Sequence, residues 1–361
     1  MKWNFPAWFA VFQIFLFLEA CTNGEKINTN GDESNSVVEI SDFPIELKVK
    51  GTNVGPLSFF SNPTDIVFDQ DHYLIVDDKK KEIFHLFNKK YELISSFGNI
   101  GEEPGSFSNK PQIINNNFIE NKKLLLYQFP SEIIPIELKS TGDKYAESII
   151  SEKNKMTIKL PGIQYVANLE GNKYVGLGGM TEGKLSFFDL DSTKAMIYPF
   201  VPNTTPGPKT SEDKMFMYNG RIGVNTVEGK IVIANHYFNQ LEIYDTKGQL
   251  LKEIRIGKLD SPFSKKPGER KFYFVNVDVT DKYIFAVYLG KKPSPGLDDL
   301  FMAKSEIHVF SWDGKPVAKL KLDRVIGAIA INPKKGIILS VDDFRNENQR
   351  LLEFSIPKVL L

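Results

Sequence analysis

The 361-residue sequence predicts an all-β fold, a six-bladed β-propeller of four-stranded antiparallel blades. Beyond about Ser36 no long segment repeats its apolar residues every 3.6 positions, whereas short runs of Val, Ile, Tyr and Phe recur between turn residues. One phrase, an apolar strand followed by a polar loop and a second apolar strand, occurs six times. Its copies start at 73, 123, 174, 231, 283 and 337, which are 50, 51, 57, 52 and 54 residues apart. A period near fifty with about four short strands per unit is what a propeller blade needs, since each sheet buries both faces against its neighbours.

The chain opens with Met1-Lys-Trp-Asn and an apolar run from Phe5 to Leu18, interrupted by Pro6 and Gln13. At about 14 residues the run is too short to span a bilayer, so residues 1–20 are expected to be an export signal. Leu18-Glu-Ala-Cys21 follows, and Cys21 is the only cysteine. An exported chain with one thiol forms no internal disulfide. After Cys21, Thr22 to Ser36 is rich in Asn, Gly, Glu, Asp, Ser and Lys with a single Ile and no aromatic residue, too polar to offset chain entropy by burial, so residues 21–36 are expected to be a flexible tether. The propeller is assigned to residues 37–361.

The six copies are legible as residues. They are Tyr73-Leu-Ile-Val-Asp-Asp with Ile83-Phe-His-Leu-Phe, Lys123-Leu-Leu-Leu-Tyr with Ile133-Ile-Pro-Ile-Glu-Leu, and Tyr174-Val-Gly-Leu with Leu185-Ser-Phe-Phe. Ile231-Val-Ile-Ala-Asn with Leu241-Glu-Ile-Tyr, Tyr283-Ile-Phe-Ala-Val-Tyr with Ile307-His-Val-Phe, and Ile337-Ile-Leu-Ser-Val-Asp-Asp with Leu351-Leu-Glu-Phe complete the set. The last copy ends soon after its third strand. Its fourth strand is therefore expected from the N-terminal stretch Val37 to Val49, closing the ring and removing an open edge. The repeat runs across the Pro-rich Pro199 to Lys214, which argues against a domain break there.

Asn62-Pro-Thr-Asp-Ile-Val-Phe-Asp, Tyr73-Leu-Ile-Val-Asp and Phe97-Gly with Gly101-Glu-Glu-Pro-Gly-Ser-Phe resemble the blades of NHL-type propellers. Leu18-Glu-Ala-Cys21 resembles the lipobox of bacterial lipoproteins, with Glu19 where that pattern carries a small or uncharged residue. Together with the blade rhythm, the chain is similar to the TolB-like six-bladed propeller lipoproteins of Bacteroidetes. The resemblance implies lipidation (palmitate) at Cys21 and placement in the cell envelope, most naturally the outer membrane.

Lys and Arg number 45, as do Asp and Glu, so the zero net charge excludes nucleic-acid binding by bulk charge. Gly178-Gly-Met-Thr-Glu-Gly-Lys184 has P-loop spacing, but Leu185 stands where the magnesium-binding hydroxyl belongs and a strand follows, so it reads as a turn between blade strands. Trp312-Asp-Gly reads as a hairpin turn. The second-strand loops carry a candidate ligand rim: Asp77 and Asp78 in blade one, Asp342, Asp343 and Arg345 in blade six, and Asn235 and His236 in blade four. Such a rim offers oxygens to a polar ligand or to a Ca2+ ion. The competing reading is that Asp after a strand makes ordinary turn bonds. Arg221 and Asn276 fall on innermost strands and are candidates to face the channel, and Ser192 in Asp191-Ser-Thr is a candidate O-glycosylation site.

No recognisable nucleophile or base constellation accompanies these residues, and no metal is specified. The expected function is a lipid-anchored envelope module that uses rim or channel to hold a protein, peptide or glycan, touching the membrane only through its anchor. The alternative is a calcium-dependent, lactonase-like hydrolase or lyase.

Overall fold

A computed structural model describes residues 36–361 apart from 56–58, 104–105, 115–117, 119–121, 142–143, 148–154, 159, 161, 179–182, 191–194, 293–303 and 343–350. The chain begins with three short strands, β1 (Ser36–Ile40), β2 (Glu46–Val49) and β3 (Thr52–Asn53). Blade one is β4 (Pro63–Asp69), β5 (His72–Asp77), β6 (Glu82–Asn88) and β7 (Leu93–Asn99). Blade two is β8 (Gln112–Ile113), β9 (Lys123–Gln128) and β10 (Glu132–Thr141), with β11 (Lys144–Glu147) and β12 (Met156–Thr157) both paired to β10. Blade three is β13 (Tyr165–Glu170), β14 (Lys173–Leu177), β15 (Leu185–Asp189) and β16 (Ala195–Tyr198). A short helix, α1 (Ser211–Met217), capped by the Thr210 hydroxyl, leads into blade four.

Blade four is β17 (Gly220–Asn225), β18 (Lys230–Asn235), β19 (Gln240–Asp245) and β20 (Leu250–Ile256). Blade five is β21 (Phe272–Val279), β22 (Tyr283–Lys291), β23 (Glu306–Ser311) and β24 (Pro316–Leu322). Blade six is β25 (Ile326–Asn332), β26 (Ile337–Asp342) and β27 (Leu351–Ser355). The second strands start at 72, 123, 173, 230, 283 and 337, each within one residue of the sequence reading.

The N-terminal segment closes the ring with different residues from those expected. The strand that completes blade six is β3, antiparallel to β27 and extended by Val54 N–H donating to Leu351 O at 2.9 Å. Val37 to Val49 instead carries β1 and β2, which add parallel fifth strands to the outer edges of blades four and five. The reason is where the apolar side chains fit. Ile40 and Phe43 bury in the junction of blades four and five, and Ile45 and Val49 pack against that of blades five and six. The same pairing covers the otherwise open edges of β20 and β24.

The core is divided among the blade junctions. Six hydrophobic clusters are resolved, one at each junction of the ring. In β5, Leu74 and Val76 face blade two while Tyr73 and Ile75 face blade six. In β18, Val232 and Ala234 face blade five while Ile231 and Ile233 face blade three. Side chains alternate along a strand, so a strand buried on both faces becomes an unbroken apolar run, which is why the repeat stands out in the sequence.

Candidate functional site

The innermost strands β4, β8, β13, β17, β21 and β25 enclose the channel. Register places Asp65 opposite Val76, Gln112 opposite Tyr127, Tyr165 opposite Leu177 and Arg221 opposite Ala234, each near the end of its blade's second strand. Asn276, opposite Val287, takes the corresponding place in blade five. These residues, one from each of five blades, form a ring near one end of the channel. Contacts run from blade to blade around it. Gln112 Nε2 donates to Val166 O at 3.3 Å while its Oε1 accepts from Val166 N at 3.2 Å. Asn276 Oδ1 accepts from Ile329 N at 3.4 Å, and two residues further in Asp278 Oδ2 accepts from Ile331 N at 2.7 Å.

Arg221 is the centre of this ring electrostatically. Its guanidinium lies 4.7 Å from the Tyr165 ring centroid, and its Nε is buried with no hydrogen-bond partner among the described residues. Asp65 accepts the adjacent Ile66 N–H, at 2.9 Å. Burial pushes the Asp65 carboxyl above its ordinary range, and the Arg221 charge pulls it back. Asp278, also desolvated and feeling the charge of Asp65, is pushed up to about 6. His236 is held down at about 4, first by burial and then by Arg221. Its Nδ1 lies 2.5 Å from Phe274 O, so the N–H sits on Nδ1 and donates, leaving Nε2 as an acceptor. At neutral pH this end of the channel holds a guanidinium, two carboxyls and a neutral imidazole.

The sequence-predicted rim residues separate. Asp77 is fully buried, and its oxygens accept from the backbone N–H groups of Ser61 (2.6 Å), Asn62 (2.8 Å) and Lys79 (3.2 Å). Asp78 accepts from Asn62 Nδ2 and lies 3.6 Å from Lys110, turning toward blade two rather than blade six. Asp343, Arg345, Ser192, Cys21 and the Asp342 side chain lie outside the described residues. Among the described residues no group of three or more His, Cys, Asp or Glu side chains is arranged to hold a metal ion.

Asn235 leaves the rim for the interior. There it meets Lys184, the lysine of the P-loop-like stretch, in a buried cluster between blades three and four. Lys184 Nζ donates to Glu242 Oε1 (2.7 Å) and Oε2 (2.8 Å), Asn235 Oδ1 (2.6 Å) and Val201 O (2.9 Å). Glu242 also accepts from Asn235 Nδ2 (2.8 Å), Gln240 Nε2 (3.1 Å) and Tyr244 OH (2.8 Å). Burial pulls the ammonium pKa down and Glu242 pulls it up. All four neighbours of Nζ are acceptors, which suits the charged form. The glycines of the stretch have a structural reason too, since a side chain at Gly183 would collide with Tyr198 O and one at Gly178 with Gly162 O. Gly178 N–H donates to Lys184 O at 3.0 Å between β14 and β15, and residues 179–182, on which the expected turn falls, lie outside the described residues.

Sequence reasoning placed Arg221 and Asn276 on innermost strands, where they are. It did not place Asp65 in the channel and did not single out Tyr165, Gln112 or Asp278. Aligning the six copies by strand register would have put Asp65, Gln112, Tyr165 and Asn276 in one column with Arg221.

A family model for TolB-like six-bladed propellers matches residues 42–334, well over half of the chain. Among solved structures, the chain is similar to a candidate exported protein of Bacteroides fragilis at 11% identity and a TM-score of 0.53, covering 89% of this chain and 99% of that one. It is also similar to a member of the DUF4221 family from Bacteroides vulgatus at 11% identity and a TM-score of 0.52, covering 85% and 96%. At such identity these two likenesses speak for the fold. No curated protein matches the sequence. With six blades in register, a ring closed by its N-terminal strand and this family match, the chain belongs to the TolB-like six-bladed propeller family.

Proposed function

We propose that the protein is an exported, lipid-anchored binding module that holds a protein, peptide or glycan at the channel mouth around Arg221. The observation that carries this reading is the Arg221 guanidinium, stacked on Tyr165, its buried Nε without a partner among the described residues, and surrounded by polar residues from other blades. A buried polar group without a hydrogen-bond partner costs stability, so its retention favours a role in recognition.

Strand direction supports an outward-facing mouth. Arg221 sits at the start of β17, beside the loop that follows β18, and β20 ends on that same face at Ile256. Because β1 runs parallel to β20, with Ser36 opposite Lys252 and Ile40 opposite Ile256, the chain enters the disc on the opposite face. A tether of residues 21–36, lipidated at Cys21, then leaves the Arg221 face turned away from the membrane. The described residues contain no helix long and apolar enough to cross a bilayer, which is compatible with attachment by lipid.

The test is retention of envelope components by the full chain. Wild type should retain a discrete component that Arg221→Gln releases at unchanged thermal stability, and Cys21→Ser should abolish palmitate labelling and membrane fractionation. Equal retention by wild type and Arg221→Gln would overturn the mouth as the binding surface, and unchanged labelling would overturn the anchor.

A further inference from the structure

The charges inside the mouth define what it can take. Arg221 on blade four and Asp65 on blade one stand on opposite sides of the channel, with no ion pair joining them within 4.0 Å among the described residues, and the Arg221 charge reaches the Asp65 carboxyl. Asp65 spends one hydrogen bond on Ile66, and Asp278 takes two backbone N–H groups, from Ile331 at 2.7 Å and Val279 at 2.8 Å. Thr64 Oγ1, one residue before Asp65, is buried without a partner among the described residues, as is Arg221 Nε. The result is a guanidinium on blade four, a carboxyl on the opposite blade one and a second carboxyl on blade five, with no ion pair joining any of them among the described residues.

A simple organic anion placed on Arg221 would face the Asp65 carboxyl across the channel. A simple cation placed on Asp65 would leave the guanidinium uncompensated. A molecule carrying both charges, separated by a short spacer, satisfies both walls at once through charge-assisted hydrogen bonds. Resting on the reading of the mouth as the binding surface, we propose that the channel binds a small zwitterion, its carboxylate on Arg221 and its ammonium on Asp65. The Tyr165 ring centroid lies 4.7 Å from the guanidinium, and His236 Nε2 accepts a further hydrogen bond from the ligand.

The probes are glycine, 4-aminobutyrate and 6-aminohexanoate, with butyrate and butylamine as singly charged controls, titrated calorimetrically into the full chain in detergent. At least one amino acid should bind, with both controls at least about tenfold weaker. Arg221→Gln and Asp65→Asn should each lose about tenfold or more, and Arg221→Lys should lose less than Arg221→Gln. The comparison of probes on wild type needs no variant, so a variant that fails to fold does not decide the matter. Butyrate binding as tightly as every amino acid would overturn the zwitterion and leave a carboxylate site. No binding by any probe, with an envelope component still retained through Arg221, would overturn the zwitterion alone. Loss of both would overturn the reading beneath it.

Discussion

Replacing Lys184 by Met isolates the electrostatic bond between blades three and four. Both Lys184 and Glu242 are 0% exposed, and Nζ makes four short contacts, two of them to the Glu242 carboxylate. In the variant Glu242 keeps its donors Asn235, Gln240 and Tyr244 but loses the ammonium that lies against it. Removing one partner of a buried ion pair costs about 3–5 kcal/mol, because the other charge stays desolvated and uncompensated. With a urea slope of about 3 kcal/mol per molar or more for a chain of this size, the midpoint should fall by roughly 1 M. Lys184→Met combined with Glu242→Gln should recover at least half of that loss, since removing both charges relieves the desolvation. The assay is urea denaturation followed by tryptophan fluorescence and by circular dichroism. A single variant within about 1 kcal/mol of wild type, or a double variant no better than the single, would show that the pair does not couple the two blades in this way.

Other consequences are open to the same instruments. Asp278 binds its proton more tightly when folded, up to about 6 against an ordinary 3.8, so its contribution to stability falls by up to about 3 kcal/mol as pH rises between those values. His236, held at about 4, acts oppositely, because the unfolded chain takes up the proton first as pH falls. Asp278→Asn should therefore gain on wild type between pH 4 and 7 in denaturation curves, and a pH-independent difference would contradict this. Phe43, ring centroid 4.7 Å from His308 and 5.5 Å from Phe310, pins the N-terminal strap. Phe43→Ala should cost about 3 kcal/mol and open residues 36–53 to limited proteolysis, whereas an unchanged cleavage pattern would show the strap held elsewhere. Asp77→Ala strips three backbone N–H groups of their acceptor and should cost about 1–3 kcal/mol while leaving calcium titration heats unchanged. A calcium response lost at full stability would make Asp77 a ligand.

The fold was legible because a strand packed on both faces must be apolar at every position, and a ring of stacked sheets is what houses such runs every fifty residues. Ile231-Val-Ile-Ala serves two junctions at once and is unmistakable. The strap was harder. β3 is only Thr52 and Asn53, too short to carry periodicity, whereas the longer alternating run before it looked like the better closing strand and instead became two edge strands. The site was least legible, because a polar residue at a strand end has several fates open to it. Asp77 serves the backbone, Asn235 a buried lysine, and Asp65 the channel, and nothing in their local sequences separates the three. Lys184 and Glu242 lie 58 residues apart, and only ring geometry brings them together. Asp278 went unnoticed within a strand whose other residues are mostly apolar.

If the face bearing Arg221 is where this propeller meets its ligand, a cross-linker on that face should capture it. Tyr237, in the loop beside β18 with its ring 4.7 Å from Phe272, samples that face, and Leu47 on β2 samples the outer circumference. The decisive measurement substitutes a photo-reactive amino acid at each position in the full chain and activates it in intact cells. A discrete adduct at 237 that disappears in the Arg221→Gln background, with none at 47, is the predicted result. Adducts at 47 alone, or at 237 regardless of Arg221, would contradict it.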